Sequence, residues 1–286
     1  MLGINRVKSW ALIAGLAGMF VAVGAWLAGS QGALIALGIA LVFNFIMYWS
    51  SDRIAIAATR SRPVTEDQAP ELYAIVRELT TEAQMPMPRV YVSEMPQPNA
   101  FATGRSPEHA AVSVTRGILQ ILDRRELRGV LAHELSHVQN RDILVSSIAA
   151  AIGSAFTYLA YMLLFFGGGR DSRDNPIGGF AFLFLWLLAP LAAGLIRMAV
   201  SRSREYQADE SGALLSHDPE ALASALLKLE ETAKRVPVQV NPAQAHLFIV
   251  NPLRGRAQGF ANLFRTHPPT ADRVARLREI AAREIG

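Results

Sequence analysis

The 286-residue sequence contains no cysteine. That excludes a disulfide framework, a thiolate metal site and a cysteine nucleophile, and leaves the compartment open. Charge is also scarce. Only 18% of the residues are charged against 51% apolar, which is too oily for an ordinary soluble enzyme and points to membrane segments. The formal charge of +4 is spread along the chain. With no basic block and no interleaved aromatics, nucleic acid is not an expected partner. Internal repeats and low-complexity tracts are missing as well.

What the chain does have is long apolar runs, four of them. Residues 10–28 follow Arg6 and Lys8, and an uncharged link, Gly29-Ser30-Gln31-Gly32, leads into residues 33–49. Each is long enough to span a bilayer of about 30 Å. A cleaved signal peptide would share the basic start, but the length and the immediate second run favour a retained hairpin anchor over residues 1–50. Residues 143–166 and 177–200 form a second pair around the turn-rich link 167–176, with Pro190 inside the last run and Arg197 near its end. They are expected to form a second membrane hairpin, against the alternative of a buried helical hairpin.

Between and after these runs the sequence turns polar. Residues 65–83 carry Leu72, Ile75, Val76 and Leu79 at helical spacing. Residues 89–94, 99–104 and 110–114 read as short strands. Asp218-Pro219 opens a helix, and Thr270 begins a last amphipathic one. The segment 51–142 holds 11 Arg and 201–286 holds 12 Lys plus Arg, whereas the second link has only Arg170 and Arg173, offset by two Asp. The positive-inside rule therefore places both polar segments in the cytoplasm, as two parts of one domain.

The chemistry is concentrated at His133-Glu134-Leu135-Ser136-His137. Asp123 followed by Glu126 signals a capped helix start, and Leu127, Val130, Leu131, Leu135 and Val138 recur at helical spacing. On that helix His133 and His137 stand on one face and can reach one cation. Glu134 lies one residue round, beside the metal, where a base acting on water belongs. A surface helix with two chance histidines is the bland alternative, and with 6 His in the chain about 0.01 such matches arise at random. A catalytic zinc site wants a third ligand. If the fourth run continues as a helix, Glu205 and Asp209 share a face, so Glu205 completes a two-His, one-Glu set and Asp209 can hydrogen-bond a ligand histidine. Alone, this would be an ordinary charged helix end. However, His137 lies six residues before the third run and Glu205 five after the fourth, so a hairpin brings both to one depth, about 8–9 Å from the membrane ends.

This arrangement of His133-Glu134-x-x-His137, a hairpin, then Glu205-x-x-x-Asp209 resembles the HtpX-like membrane zinc metallopeptidases, relatives of the CAAX prenyl proteases. Asn99-Ala100-Phe101-Ala102 is similar to that family's strand bordering the substrate cleft, and His267-Pro268-Pro269-Thr270-Ala271-Asp272-Arg273 to its His-Pro loop. The resemblance covers nearly the whole chain. It implies a mainly α integral membrane protein with four transmembrane helices and an α+β, zincin-like cytoplasmic peptidase domain carrying a small sheet. It implies one Zn2+ on His133, His137 and Glu205, Glu134 as general base and Asp209 behind a ligand. Asn99, His267 and Arg273 become candidate contacts to substrate or oxyanion. The implied activity is a stress-response endopeptidase of the bacterial inner membrane, also self-cleaving. Its substrates would be unfolded or damaged membrane proteins, with the lipid bilayer and membrane quality-control proteins as partners. A CAAX-type prenyl-peptide protease and a non-catalytic scaffold or holdase with a structural zinc are the competing expectations. His109, His217 and His246 match nothing and read as surface or packing residues.

Overall fold

The computed structural model describes residues 2–140, 143, 202–235, 248–250 and 268–284. The expected second hairpin, His246 and His267 lie outside the described residues. The first helix, α1 (Leu2–Ala58), is interrupted at Ala28 and Gly29, where Gly29 takes φ +60°, a left-handed conformation that glycine adopts without steric cost. The chain doubles back there, because a Cβ on Gly24 or Gly32 would collide with the other's carbonyl. Along an unbroken helix those positions would stand about 12 Å apart. The hairpin turn therefore falls at the start of the expected link, and helix resumes through the rest of it. Within the second arm, Ala28–Ile46 is long and apolar enough to cross a membrane, and it is the one such helix among the described residues.

The helix also runs further than its apolar stretch. Its last turns bury Ser51, Asp52 and Ala55 against a four-stranded sheet ordered β1-β2-β4-β3. The strands are β1 (Ser61–Pro63), β2 (Arg89–Ser93), β3 (Ala100–Thr103) and β4 (Ala111–Thr115). β2 and β4 are parallel, and the two flanking pairs are antiparallel. Asp52 pairs with Arg89 at 2.6 Å, and Ser61 Oγ lies 2.7 Å from both Thr59 Oγ1 and Ser113 Oγ, so α1 is fastened to the sheet by polar contacts. Strand β1 escaped the periodicity because it has three residues, two of them exposed, and ends in a proline that only a sheet edge tolerates.

Helices cover the sheet. α2 (Pro70–Glu82) starts five residues later than the apolar spacing implies, because Pro70 occupies the first turn, where a missing N–H costs nothing. α3 (Arg116–Ile121) is one short turn capped by Thr115. α4 (Arg124–Gln139) opens with a full capping box. Asp123 accepts from the Glu126 N–H at 2.9 Å, and the Glu126 carboxylate accepts from the Asp123 N–H at 3.0 Å. Glu126 also receives Lys228 and Ser224, each at 2.7 Å. α4 is thereby tied to α6 (Pro219–Arg235). α5 (Arg202–Ser216) and α7 (Thr270–Glu284) complete the packing. The core runs from Leu72, Ile75 and Leu79 through Val112 and Val114 to Leu131, Leu135, Leu222 and Leu277.

Candidate metal centre and active site

α4 and α5 cross at Gly212. A Cβ there would stand 2.8 Å from both the Cα and the backbone nitrogen of His133, so only glycine admits the approach. Glu205, Asp209 and Gly212 are spaced four and three residues apart and share one face of α5. The glycine contact thus sets both acidic side chains against the histidines of α4.

The result is a cluster of His133, His137 and Glu205 whose ligand atoms all lie within 4.8 Å of one another. Glu205 stands 3.8 Å from His133 Nε2 and 3.7 Å from His137 Nε2, and the two imidazole rings are perpendicular at 4.9 Å. Neighbouring ligands on a tetrahedral metal with bonds of about 2.1 Å stand roughly 3.4 Å apart. Two imidazoles and a carboxylate at these separations therefore fit a divalent metal with a position to spare. His133 and Glu205 are buried and His137 nearly so, which suits residues that hold a metal better than a solvated surface pair.

Asp209 fixes the ring of His133. The Nδ1–H donates to Asp209 across 3.0 Å, which leaves Nε2 turned to Glu205 and settles the tautomer. Arg273 then closes on Asp209 with two bonds, Nε at 2.8 Å and Nη2 at 2.6 Å, while Nη2 also lies 3.4 Å from His133 Nδ1. Burial pushes the Asp209 carboxyl up, but the Arg273 guanidinium outweighs it and, with the His133 N–H, holds Asp209 well below the usual carboxylate range. Burial likewise opposes the charge on Arg273, and Asp209 more than compensates, raising the guanidinium above its ordinary value.

Glu134 is turned elsewhere. Its Oε2 accepts a 2.9 Å hydrogen bond from the Ala102 N–H. β3 pairs with β4 along one side only, so this N–H belongs to the outer edge of the sheet. That backbone contact carried no sequence signal. Gly212 had one, its place on the Glu205–Asp209 face, although glycine in a helix does not announce what approaches it.

Asn99 and Arg273, the two described candidates for touching substrate or oxyanion, are each 1% exposed. Asn99 Oδ1 accepts from the Ile249 N–H at 3.1 Å, and the Ile249 carbonyl accepts from Arg273 Nη1 at 3.4 Å. Both therefore join the buried network behind His133. Of the histidines set aside, His217 is at the surface, 2.7 Å from Glu82, and His109 is also exposed.

Comparison with known proteins agrees with this geometry. The model of peptidase family M48 matches residues 66–281. A protein named Protease HtpX homolog from Pelotomaculum thermopropionicum is 51% identical over 282 residues, spanning 97% of this chain and 100% of the relative. A Protease HtpX homolog from Burkholderia thailandensis is 50% identical over 280 residues, with 97% of each chain covered. Among solved structures, the crystal structure of S. mikatae Ste24p superposes with a TM-score of 0.51 at 20% identity, over 96% of this chain and 66% of Ste24p. That likeness is one of fold. By the family match and by identity over nearly its full length, this chain belongs to peptidase family M48.

Proposed function

We propose that this peptidase is a membrane-anchored, zinc-dependent endopeptidase. Its substrates are unfolded or damaged membrane proteins, hydrolysed on the cytoplasmic face of the bacterial inner membrane as part of quality control, with self-cleavage as a side activity. One observation carries the reading. One nitrogen of each imidazole and a Glu205 carboxylate oxygen lie within 4.8 Å of one another, while Glu134, the residue next to His133, is kept out of that set by the Ala102 N–H. A purely structural metal site has no use for a carboxylate held beside it.

When bound, zinc supplies Lewis-acid polarisation of the scissile carbonyl and a more acidic attacking water. The protein's residues do the rest. Glu134 takes a proton from the attacking water and returns it to the departing amine, so water is added across the peptide bond. Asp209 keeps His133 in the tautomer that presents Nε2. The outer edge of β3, apart from the Ala102 N–H that Glu134 occupies, is the place for an extended segment to pair by its backbone, which favours unfolded chains and loose side-chain specificity. Asn99 and Arg273 are assigned to holding this frame, because Asn99 Oδ1 and the Arg273 guanidinium are engaged within it. The membrane anchor is supported by the exposed apolar face of α1, where Leu34, Ile35, Leu41, Val42 and Phe45 are all at least 60% exposed.

The test compares wild type and Glu134→Ala, purified in detergent without metal and then given zinc and an unfolded membrane-protein substrate. The expected result is chelator-sensitive cleavage by the wild type alone, with zinc bound by both. Cleavage by the variant at the wild-type rate would remove Glu134 from its role, and failure of both to bind zinc would remove the metal assignment.

A further inference from the structure

The catalytic strand is built onto the end of the membrane helix. Phe101 of β3 packs on Ala55 and Ile56 of α1, with Met95 and Phe248 around it. The next residue, Ala102, holds Glu134. Just past the other end of β3, the Arg105 guanidinium stacks on the Trp49 ring at 4.5 Å. Trp49 stands three residues beyond Ile46, where the membrane-length apolar stretch ends, at the level that interfacial tryptophans occupy. β3 is thus gripped by α1 at two heights, and both are measured along one rigid helix.

We propose that α1 acts as a ruler that sets the distance from bilayer to scissile bond, and that the substrates are the first unfolded residues of membrane-inserted polypeptides just outside the bilayer. This rests on the membrane-peptidase function proposed above. Nine residues separate Ile46 from Ala55, which at 1.5 Å per residue and an ordinary tilt of about 20° places Phe101 and Glu134 roughly 13 Å beyond the hydrocarbon edge. An extended chain rises about 3.3 Å per residue, so about four residues are needed to cross that gap. Peptide bonds closer to the apolar span than this do not reach Glu134. Those from about the fifth residue outward do. Trp49 and Arg105 keep the step fixed through their cation–π contact.

The experiment uses the full chain with zinc in lipid nanodiscs. The substrates each carry one transmembrane segment and an uncleavable polar tail with a single cleavable block at the second, fourth, sixth, eighth or sixteenth residue, and the cuts are mapped by mass spectrometry. A further substrate is the same tail, with its block, detached from the membrane segment. The expected result is a step between the second and sixth positions of about a hundredfold in rate, the scale by which small misplacement penalises catalysis. The detached tail should be cut without a step and at least about tenfold more slowly at equal bulk concentration. Arg105→Ala and Trp49→Ala should cut the detached tail like wild type while blurring the step. Equal cutting at the second and sixth positions would overturn the ruler and leave the peptidase standing. No cutting of any substrate, the detached tail included, would overturn the peptidase function and the ruler with it.

Discussion

Gly212→Ala separates two opposing effects on one residue. By helix propensity alone, alanine is better than glycine in a helix interior by about 0.8–1 kcal/mol, so the substitution should stabilise α5. The contact says otherwise. The new methyl would stand 2.8 Å from two backbone atoms of His133, short of ordinary van der Waals contact by at least 0.6 Å. Neither atom is the end of a flexible side chain, so α5 must back away from α4. Overpacking of this kind costs about 1–3 kcal/mol, leaving a net loss between about zero and 2 kcal/mol. For a domain of this size that lowers Tm by up to about 8 °C. The effect on the site should be larger than the effect on the fold. Metal ligand distances tolerate about 0.2 Å, and a shift three times that carries Glu205 and Asp209 away from His133 together, so zinc affinity should fall by about 10–100-fold. The assay is chelator competition for zinc beside thermal unfolding of the metal-free protein. A raised Tm with unchanged zinc affinity would show that the helices have slack at this crossing, and would refute the reasoning.

Removing the Asp209 charge with Asp209→Asn leaves Arg273 buried beside a neutral partner, a loss of about 3–5 kcal/mol by the behaviour of broken buried pairs. Because the folded carboxyl is held below its unfolded value of about 3.9, the charge contributes stability that is complete above that pH and is lost as pH falls further. The Tm gap between wild type and variant should therefore be flat from about pH 8 to 5 and narrow below about pH 4, and a gap that widens on acidification would contradict the pairing. Stripping metal with a chelator should lower the wild-type Tm by the linkage of zinc to the folded state, about 4 kcal/mol at a thousandfold excess over Kd. His137→Ala should show almost no chelator response, and an equal response in both would place the metal elsewhere.

The clustering of the proposed site residues was more legible than the fold around it. His133, Glu134 and His137 follow from helical geometry, and the shared depth of the residues flanking a hairpin paired them with Glu205. Strand patterns found β2, β3 and β4 to within a residue or two, helped by Val90, Val92, Val112 and Val114, which put β-branched side chains into the core. The start of α2 was misplaced because apolar spacing ignores what Pro70 does to a helix start. Asn99 and Arg273 show the deeper limit. A sequence shows that such residues are polar and near a motif, but not whether their polar atoms face a cleft or each other. That depends on Ile249, whose peptide group offers a donor to one and an acceptor to the other and whose side chain says nothing of it.

The Asp209–Arg273 pair is poorly explained as a source of stability, since buried ion pairs are often no better than apolar residues of equal volume. What it supplies is registration. Arg273 spends Nε and Nη2 on Asp209, which fixes the His133 ring, and spends Nη1 on the Ile249 carbonyl. The Ile249 N–H in turn reaches the side chain of Asn99, whose own backbone N–H is held by Thr115 Oγ1 at 2.9 Å. Asn99 immediately precedes β3, the strand whose Ala102 N–H holds Glu134. One buried path therefore runs from His133, a proposed metal ligand, to the strand that positions Glu134, the proposed base, through residues drawn from α5, α7 and the start of β3. A catalytic base and a metal ligand must keep their separation to a few tenths of an ångström, and neighbouring places on α4 alone do not provide that, because Glu134 can rotate about its own side chain. The network sets the strand that sets Glu134 from the same residues that set His133, so that a shift in one is carried to the other.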